Sequence, residues 1–139
     1  MRFADTNVLL YAISRDPGER ARAACATEIL GAGEIALSTQ VLQEFYVQAT
    51  RATRDDAISH EQALGLVESF MRFPVIETTP QLVLTAAITR DRFQISYWDA
   101  AILEAARLAG CEVVLSEDLD DRTDYAGVRV ENPFPTPDP

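Results

Sequence analysis

An α/β domain with a mostly parallel sheet is predicted by the alternation of short apolar runs with longer amphipathic ones. Five runs of strand length occur, and the first four are separated by segments long enough for helices of ten or more residues. The helical segments carry recognisable caps and stops. At 139 residues, with 47% hydrophobic and 24% charged side chains, the chain can bury one proper core and is too apolar for a disordered protein. One domain over residues 1–134 is expected, followed by a Pro-rich tail over 135–139.

The elements follow in order. Residues 2–4 open a first strand, and Val8, Leu9, Tyr11 and Ala12 turn the pattern helical as far as Asp16-Pro17-Gly18, a turn signal. A second helix is expected from about Glu19 to Leu30, closed by Gly31 or Gly33. Glu34 to Leu37 reads as strand two. Ser38 or Thr39 caps a helix to about Arg51 whose apolar face includes Leu42, Phe45 and Ala49. Ser59 with Gln62 makes a capping-box pattern for a helix stopped near Phe73-Pro74. Val75 to Glu77 is strand three, and Pro80 sits at the first position of a helix reaching about Arg92. Ser96-x-x-Asp99 opens another helix that ends at Gly110. Cys111 to Leu115 and Val128 to Glu131 are strands four and five.

Charge narrows the function. Twelve basic residues, all Arg, oppose 22 acidic ones for a net charge of −10, so the broad positive face that grips phosphates by counterion release is absent. An anionic substrate would need a bound metal to supply part of the attraction. Cys25 and Cys111 form no CxxC pair and read as small buried residues of a reduced compartment. The early run VLLYAI is too short for a membrane span or a signal sequence. A cytoplasmic location is expected.

Four acids stand inside apolar stretches or where they end: Asp5, Glu44, Asp99 and Asp118. Each also has an ordinary explanation. Asp5 could cap the helix that follows it, and Ser96-x-x-Asp99 is a capping-box pattern. Glu44 could be a solvated helix residue, and Asp118 lies in the acidic run Ser116-Glu117-Asp118-Leu119-Asp120-Asp121, where Asp121 is a second candidate. Together they point to one site, because carboxylates held about 4 Å apart repel by about 4 kcal/mol per pair at an effective dielectric near 20. A hard divalent cation relieves that repulsion, and all-oxygen donors without a Cys/His cluster favour Mg²⁺ or Mn²⁺ over zinc. His60, the one histidine, lies far from these segments in sequence and is assigned no role.

In this order, from Asp5-Thr6-Asn7 through Glu44, Ser96-Tyr97-Trp98-Asp99-Ala100 and Leu115-Ser116-Glu117-Asp118 to Val130-Glu131-Asn132-Pro133-Phe134, the contexts resemble the PIN-domain family. The resemblance is greatest to the VapC-type toxin ribonucleases of bacterial VapBC toxin–antitoxin modules. It implies a PIN-like three-layer domain around a central, mostly parallel five-stranded sheet. It further implies a Mg²⁺-dependent endoribonuclease, with Mn²⁺ as substitute, acting as the toxin of a type II module. The family's metal-binding and catalytic acids map onto Asp5, Glu44, Asp99 and Asp118, and its supporting polar positions onto Thr6 or Asn7 and Ser116. Many relatives have Thr-Asn-Asp where this chain has Ser116-Glu117-Asp118, so the key Asp is kept and Glu117 is a departure. The implied partners are an RNA substrate, a small VapB-type antitoxin lying over the acidic groove, and a second copy of the chain. In such a homodimer Arg51 and Arg54 would stand near the neighbouring subunit's groove.

Two other classes compete. A phosphoacceptor or phosphatase-like enzyme would use Asp5 as nucleophile, yet the common pattern has a second Asp two residues on, where this chain has Asn7. The receiver-type version also needs a Lys on a late strand, and the chain has none. A non-catalytic acidic interaction module would bind a basic partner and hold no metal tightly.

Overall fold

A computed structural model of the chain describes residues 1–135. The expected tail therefore lies almost wholly outside the described residues. Strands β1 (Arg2–Ala4), β2 (Ile35–Ser38), β3 (Val75–Ile76), β4 (Val113–Leu115), β5 (Asp124–Tyr125) and β6 (Val128–Glu131) form one sheet in the order β3-β2-β1-β4-β6-β5. All neighbours are parallel except β5 and β6. Strand β5 corrects the expectation of five strands to six. Its two residues are too short to show any periodicity, and a turn through Ala126 and Gly127, both at positive φ, folds it back on β6.

Among the described residues six α-helices flank the sheet: α1 (Thr6–Ala12), α2 (Arg20–Ala32), α3 (Thr39–Ala49), α4 (His60–Phe70), α5 (Pro80–Phe93) and α6 (Tyr97–Leu108). Local chemistry accounts for their ends. The side chains of Ser38, Ser59, Thr79 and Ser96 each accept a backbone N–H at a helix start, and Ser59 with Gln62 completes a capping box. Gly33, at φ 81°, stops α2 in the left-handed conformation that costs glycine least. All four residues of β2 are buried, as a strand covered on both faces requires.

Helix α6 presses on β2, β4 and β6 and carries α5 on its far side, while α1 packs with α2 and α3, and α3 with α4. Phe3, Val8, Leu9, Phe45, Leu103, Val114 and Val130 fill the interior between them. Cys111 is buried as expected, but Cys25 is only half-buried, its thiol donating to the Pro133 carbonyl at 3.2 Å. Among the described residues no helix is long and apolar enough to cross a membrane.

The sheet order places the site. The chain runs outward from β1 through β2 to β3, then returns to the other side of β1 as β4. A crevice opens beyond the carboxyl ends of strands at such a reversal. Asp5 directly follows β1, Ser116 directly follows β4, and the Asp5 N–H donates to the Leu115 carbonyl across the junction at 3.0 Å.

Candidate active site

A pocket of about 290 Å³ opens at this reversal, and Asp5, Glu44, Asp99 and Asp118 all line it. The four sequence-selected acids, from four separate segments, thus share one concavity. Glu19 and Glu117 bring the carboxylates on its wall to six, and Arg54 is the one basic lining residue. Asp121 is not part of the wall; its Oδ1 accepts the Asn132 N–H at 2.9 Å and braces the end of β6.

Asp5 is both the cap of α1 and the deepest acid. Its Oδ1 accepts the Thr6 N–H at 2.7 Å and its Oδ2 accepts the Ser116 hydroxyl at 2.8 Å. Among the described residues no cation pairs with it. Burial therefore pushes its carboxyl up from 3.8 to about 6, against the opposing effect of those two hydrogen bonds, and the charges of Asp118 and Glu44 push the same way. Asp99 also donates its backbone N–H to its helix cap, Ser96 Oγ, at 3.0 Å. Partial burial raises its carboxyl as well, and Asp118 and Glu44 again add repulsion. Capping and site membership coexist at Asp5, whereas α6 is capped by Ser96 alone and the Asp99 carboxylate completes no capping box.

Neutral side chains orient the remaining acids. Asn7 Nδ2 donates to Asp118 Oδ2 at 3.1 Å and leans on Ser116 Oγ at 3.4 Å. Thr6 Oγ1 donates to Glu44 Oε2 at 2.7 Å, and Gln40 Nε2 reaches both Glu44 Oε1 at 3.0 Å and the Trp98 carbonyl at 3.2 Å. Gln40 thereby ties α3 to the residue before Asp99. It escapes a motif-based reading; its only sequence signal is an amide four residues before an acid, on the same helix face. Glu117, the departure from the family pattern, accepts the Tyr11 hydroxyl at 2.7 Å. Burial and that acceptor push the Tyr11 phenol up to about 12, so it stays a donor.

Arg54 lines the same pocket as the acids of its own chain. Asp56 engages it, with Nε and Oδ1 2.8 Å apart, and Asp56 also accepts the Arg15 N–H. Nε nonetheless lacks a hydrogen-bond acceptor of good angle, so the contact is ionic rather than directional. Arg51 is exposed and does not reach the pocket wall.

The donor set suits a hard cation: carboxylates throughout, no thiol or imidazole, and the Asn7 Oδ1, a buried oxygen without a donor of its own. Among the described residues no three His, Cys, Asp or Glu side chains are grouped tightly enough to hold an ion by themselves.

Known proteins agree with this architecture. The model of the PIN domain family matches residues 2–125. Ribonuclease VapC24 of Mycobacterium tuberculosis is 30% identical over 143 residues, covering 94% of each chain. A toxin–antitoxin complex from Klebsiella pneumoniae superposes with a TM-score of 0.69 at 21% identity, over 96% of this chain and 98% of that one. Mycobacterium tuberculosis VapC20, described as a Sarcin-Ricin loop cleaving toxin, gives 0.61 at 18% identity over 82% and 87%. With its acids on one wall at the reversal of the sheet and the family model spanning most of its length, the chain belongs to the PIN-domain family, in its VapC-type branch.

Proposed function

We propose that the chain is a Mg²⁺-dependent endoribonuclease, the toxin of a type II toxin–antitoxin module, and that it hydrolyses RNA phosphodiester bonds with water as nucleophile. One observation carries the reading. A buried carboxylate, Asp5, sits among further acids without a cationic partner, an arrangement that is costly unless something positive is to be bound. The similarity to VapC24, a ribonuclease by name, supplies the substrate class.

Asp5 and Asp99 would be the principal metal ligands, with Glu44 and Asp118 completing the set through oxygen atoms or bound water. When bound, a divalent cation neutralises the approaching phosphate and lowers the pKa of a water molecule. The protein's own part is orientation. Ser116 fixes one face of Asp5, Thr6 and Gln40 fix Glu44, and Asn7 fixes Asp118 from one side. Asp118 is the exposed member of the four, and its Oδ1 is the acceptor for the proton that the attacking water gives up. The new phosphorus–oxygen bond forms as the bridging bond breaks, and the leaving oxygen is protonated from solvent.

A VapB-type antitoxin and a second copy of the chain are the expected partners. Exposed apolar side chains support this: Val47 on α3 with Leu64 on α4 and Met71 just after it, and Leu84 and Ile88 on α5 with Leu108 on α6.

The test is incubation of the purified chain with total RNA and titrated Mg²⁺ or Mn²⁺. Discrete metal-dependent cuts are expected, falling about a thousandfold or more in folded Asp5→Asn and Asp99→Asn proteins. Undiminished cleavage by Asp5→Asn overturns the assignment. So does a wild type that neither cuts RNA nor binds metal by calorimetry, which would favour the interaction-module alternative.

A further inference from the structure

Trp98 is the chain's one tryptophan, and it stands 64% exposed on the wall of the acid pocket, next to Asp99. A large aromatic left in water beside a polar site is the informative exception to burial. Its place is held from two sides. The Tyr97 ring meets it edge-on, with centroids 5.1 Å apart, and Gln40 clamps its backbone carbonyl at 3.2 Å. Neither contact uses up the exposed indole surface.

Electrostatics decide what that surface is for. With a net charge of −10 and six carboxylates on the pocket wall, the protein repels a phosphate backbone, and counterion release cannot supply the grip. Arg54 does not fill the gap, because Asp56 already counters its charge at 2.8 Å. Stacking on an aromatic ring is indifferent to backbone charge, and every nucleobase has a face to offer. A base can reach that face only when it is unstacked, which restricts the ligand to single strands, loops or ends.

We infer that Trp98 is a base-stacking platform that holds the nucleotide flanking the scissile phosphate and selects unpaired RNA. The inference rests on the ribonuclease reading above and deepens it. Trp98 is thus a substrate-binding residue, and its contribution falls on KM more than on kcat.

Because the chain has a single tryptophan, its fluorescence reports on this residue alone. The Asp5→Asn chain in Mg²⁺ is titrated with a single-stranded oligoribonucleotide, with the same strand in a duplex, and with inorganic phosphate. Saturable quenching by the single strand is expected, about tenfold or more weaker with the duplex and absent with phosphate. Anisotropy of labelled RNA should show about a tenfold loss of affinity on adding Trp98→Ala, largely restored by Trp98→Phe. In the otherwise wild-type chain, Trp98→Ala should raise KM by a similar factor with little change in kcat. Both variants alter an exposed side chain and keep the carbonyl that Gln40 holds; circular dichroism verifies their folding.

If RNA is bound and cleaved while the emission stays constant and Trp98→Ala leaves KM unchanged, the platform is wrong and the nuclease reading stands. An emission maximum that shifts with protein concentration but not with RNA would assign Trp98 to a contact between copies and also overturn it. Failure of the wild type to bind or cleave any RNA removes both readings.

Discussion

Two carboxylates in this molecule are almost equally hidden and differently treated. Asp5, 6% exposed, and Glu104, 4% exposed, both sit against the core. Glu104 has a cation: Arg107, one turn later on α6, approaches it at 3.1 Å, and the Thr89 hydroxyl donates to it at 2.9 Å. The same guanidinium also donates to the Tyr125 and Ala126 carbonyls, so the pair pins the β5–β6 hairpin to α6. Asp5 receives only a backbone N–H and a hydroxyl, and its charged neighbours repel it. Where a buried charge serves the fold, the fold neutralises it. Where the charge is left uncompensated, as at Asp5, the arrangement is the one on which the proposed cation site rests.

The strongest way to break this contrast is to make Glu104 resemble Asp5. Arg107→Ala leaves a buried carboxylate without its cation and should destabilise the protein by about 2–3 kcal/mol, less than for a fully buried pair because Arg107 is partly exposed. Urea denaturation measures the loss, and the proposed RNA cleavage per folded molecule should not change. A loss below about 0.5 kcal/mol would show that Glu104 needs no compensation, and the two regions would then not differ as described.

The converse experiment removes the uncompensated charge. The folded-state Asp5 carboxyl is raised above its ordinary value, so the folded protein keeps this proton between about pH 4 and pH 6 while the unfolded chain has lost it. Asp5 therefore lowers stability as pH rises through that window, by an amount on the order of 3 kcal/mol at most. In metal-free buffer at pH 7.5, Asp5→Asn should be more stable than wild type by about 1–3 kcal/mol, and the advantage should fade below about pH 4. Added Mg²⁺ should raise the wild-type midpoint more than that of the variant. A variant less stable than wild type at pH 7.5 would mean that Asp5 is satisfied by its two hydrogen bonds alone.

A smaller effect sharpens the picture. Thr6→Val keeps the shape of the side chain and deletes the 2.7 Å bond to Glu44. Cleavage should fall about tenfold, in proportion to one charge-assisted hydrogen bond, while stability stays within about 1 kcal/mol. An unchanged rate would remove Glu44 from the proposed site.

Much of this molecule follows from local chemistry that the chain displays in order. Caps at Ser38, Ser59, Thr79 and Ser96, the proline at the start of α5 and the glycine after α2 mark boundaries that the structure reproduces within a few residues. Four acids in apolar contexts could be read directly, because a carboxylate beside hydrophobic neighbours stands out in any window. Their common wall, the two further carboxylates on it and the placing of Arg54 in the same pocket were decided by how strands, helices and loops pack together. The parallel register of Ala4 with Leu115 sets Asp5 beside Ser116, 111 residues away. The Gln40 bridge to the Trp98 carbonyl exists only once α3 and α6 converge on the site. The two-residue β5, the hairpin it makes and the ion pair that holds it were likewise out of reach of local pattern. Capping and periodicity act within one turn of the chain, whereas sheet order, a site's shared wall and a charge's compensation depend on contacts between segments that only the folded chain brings together.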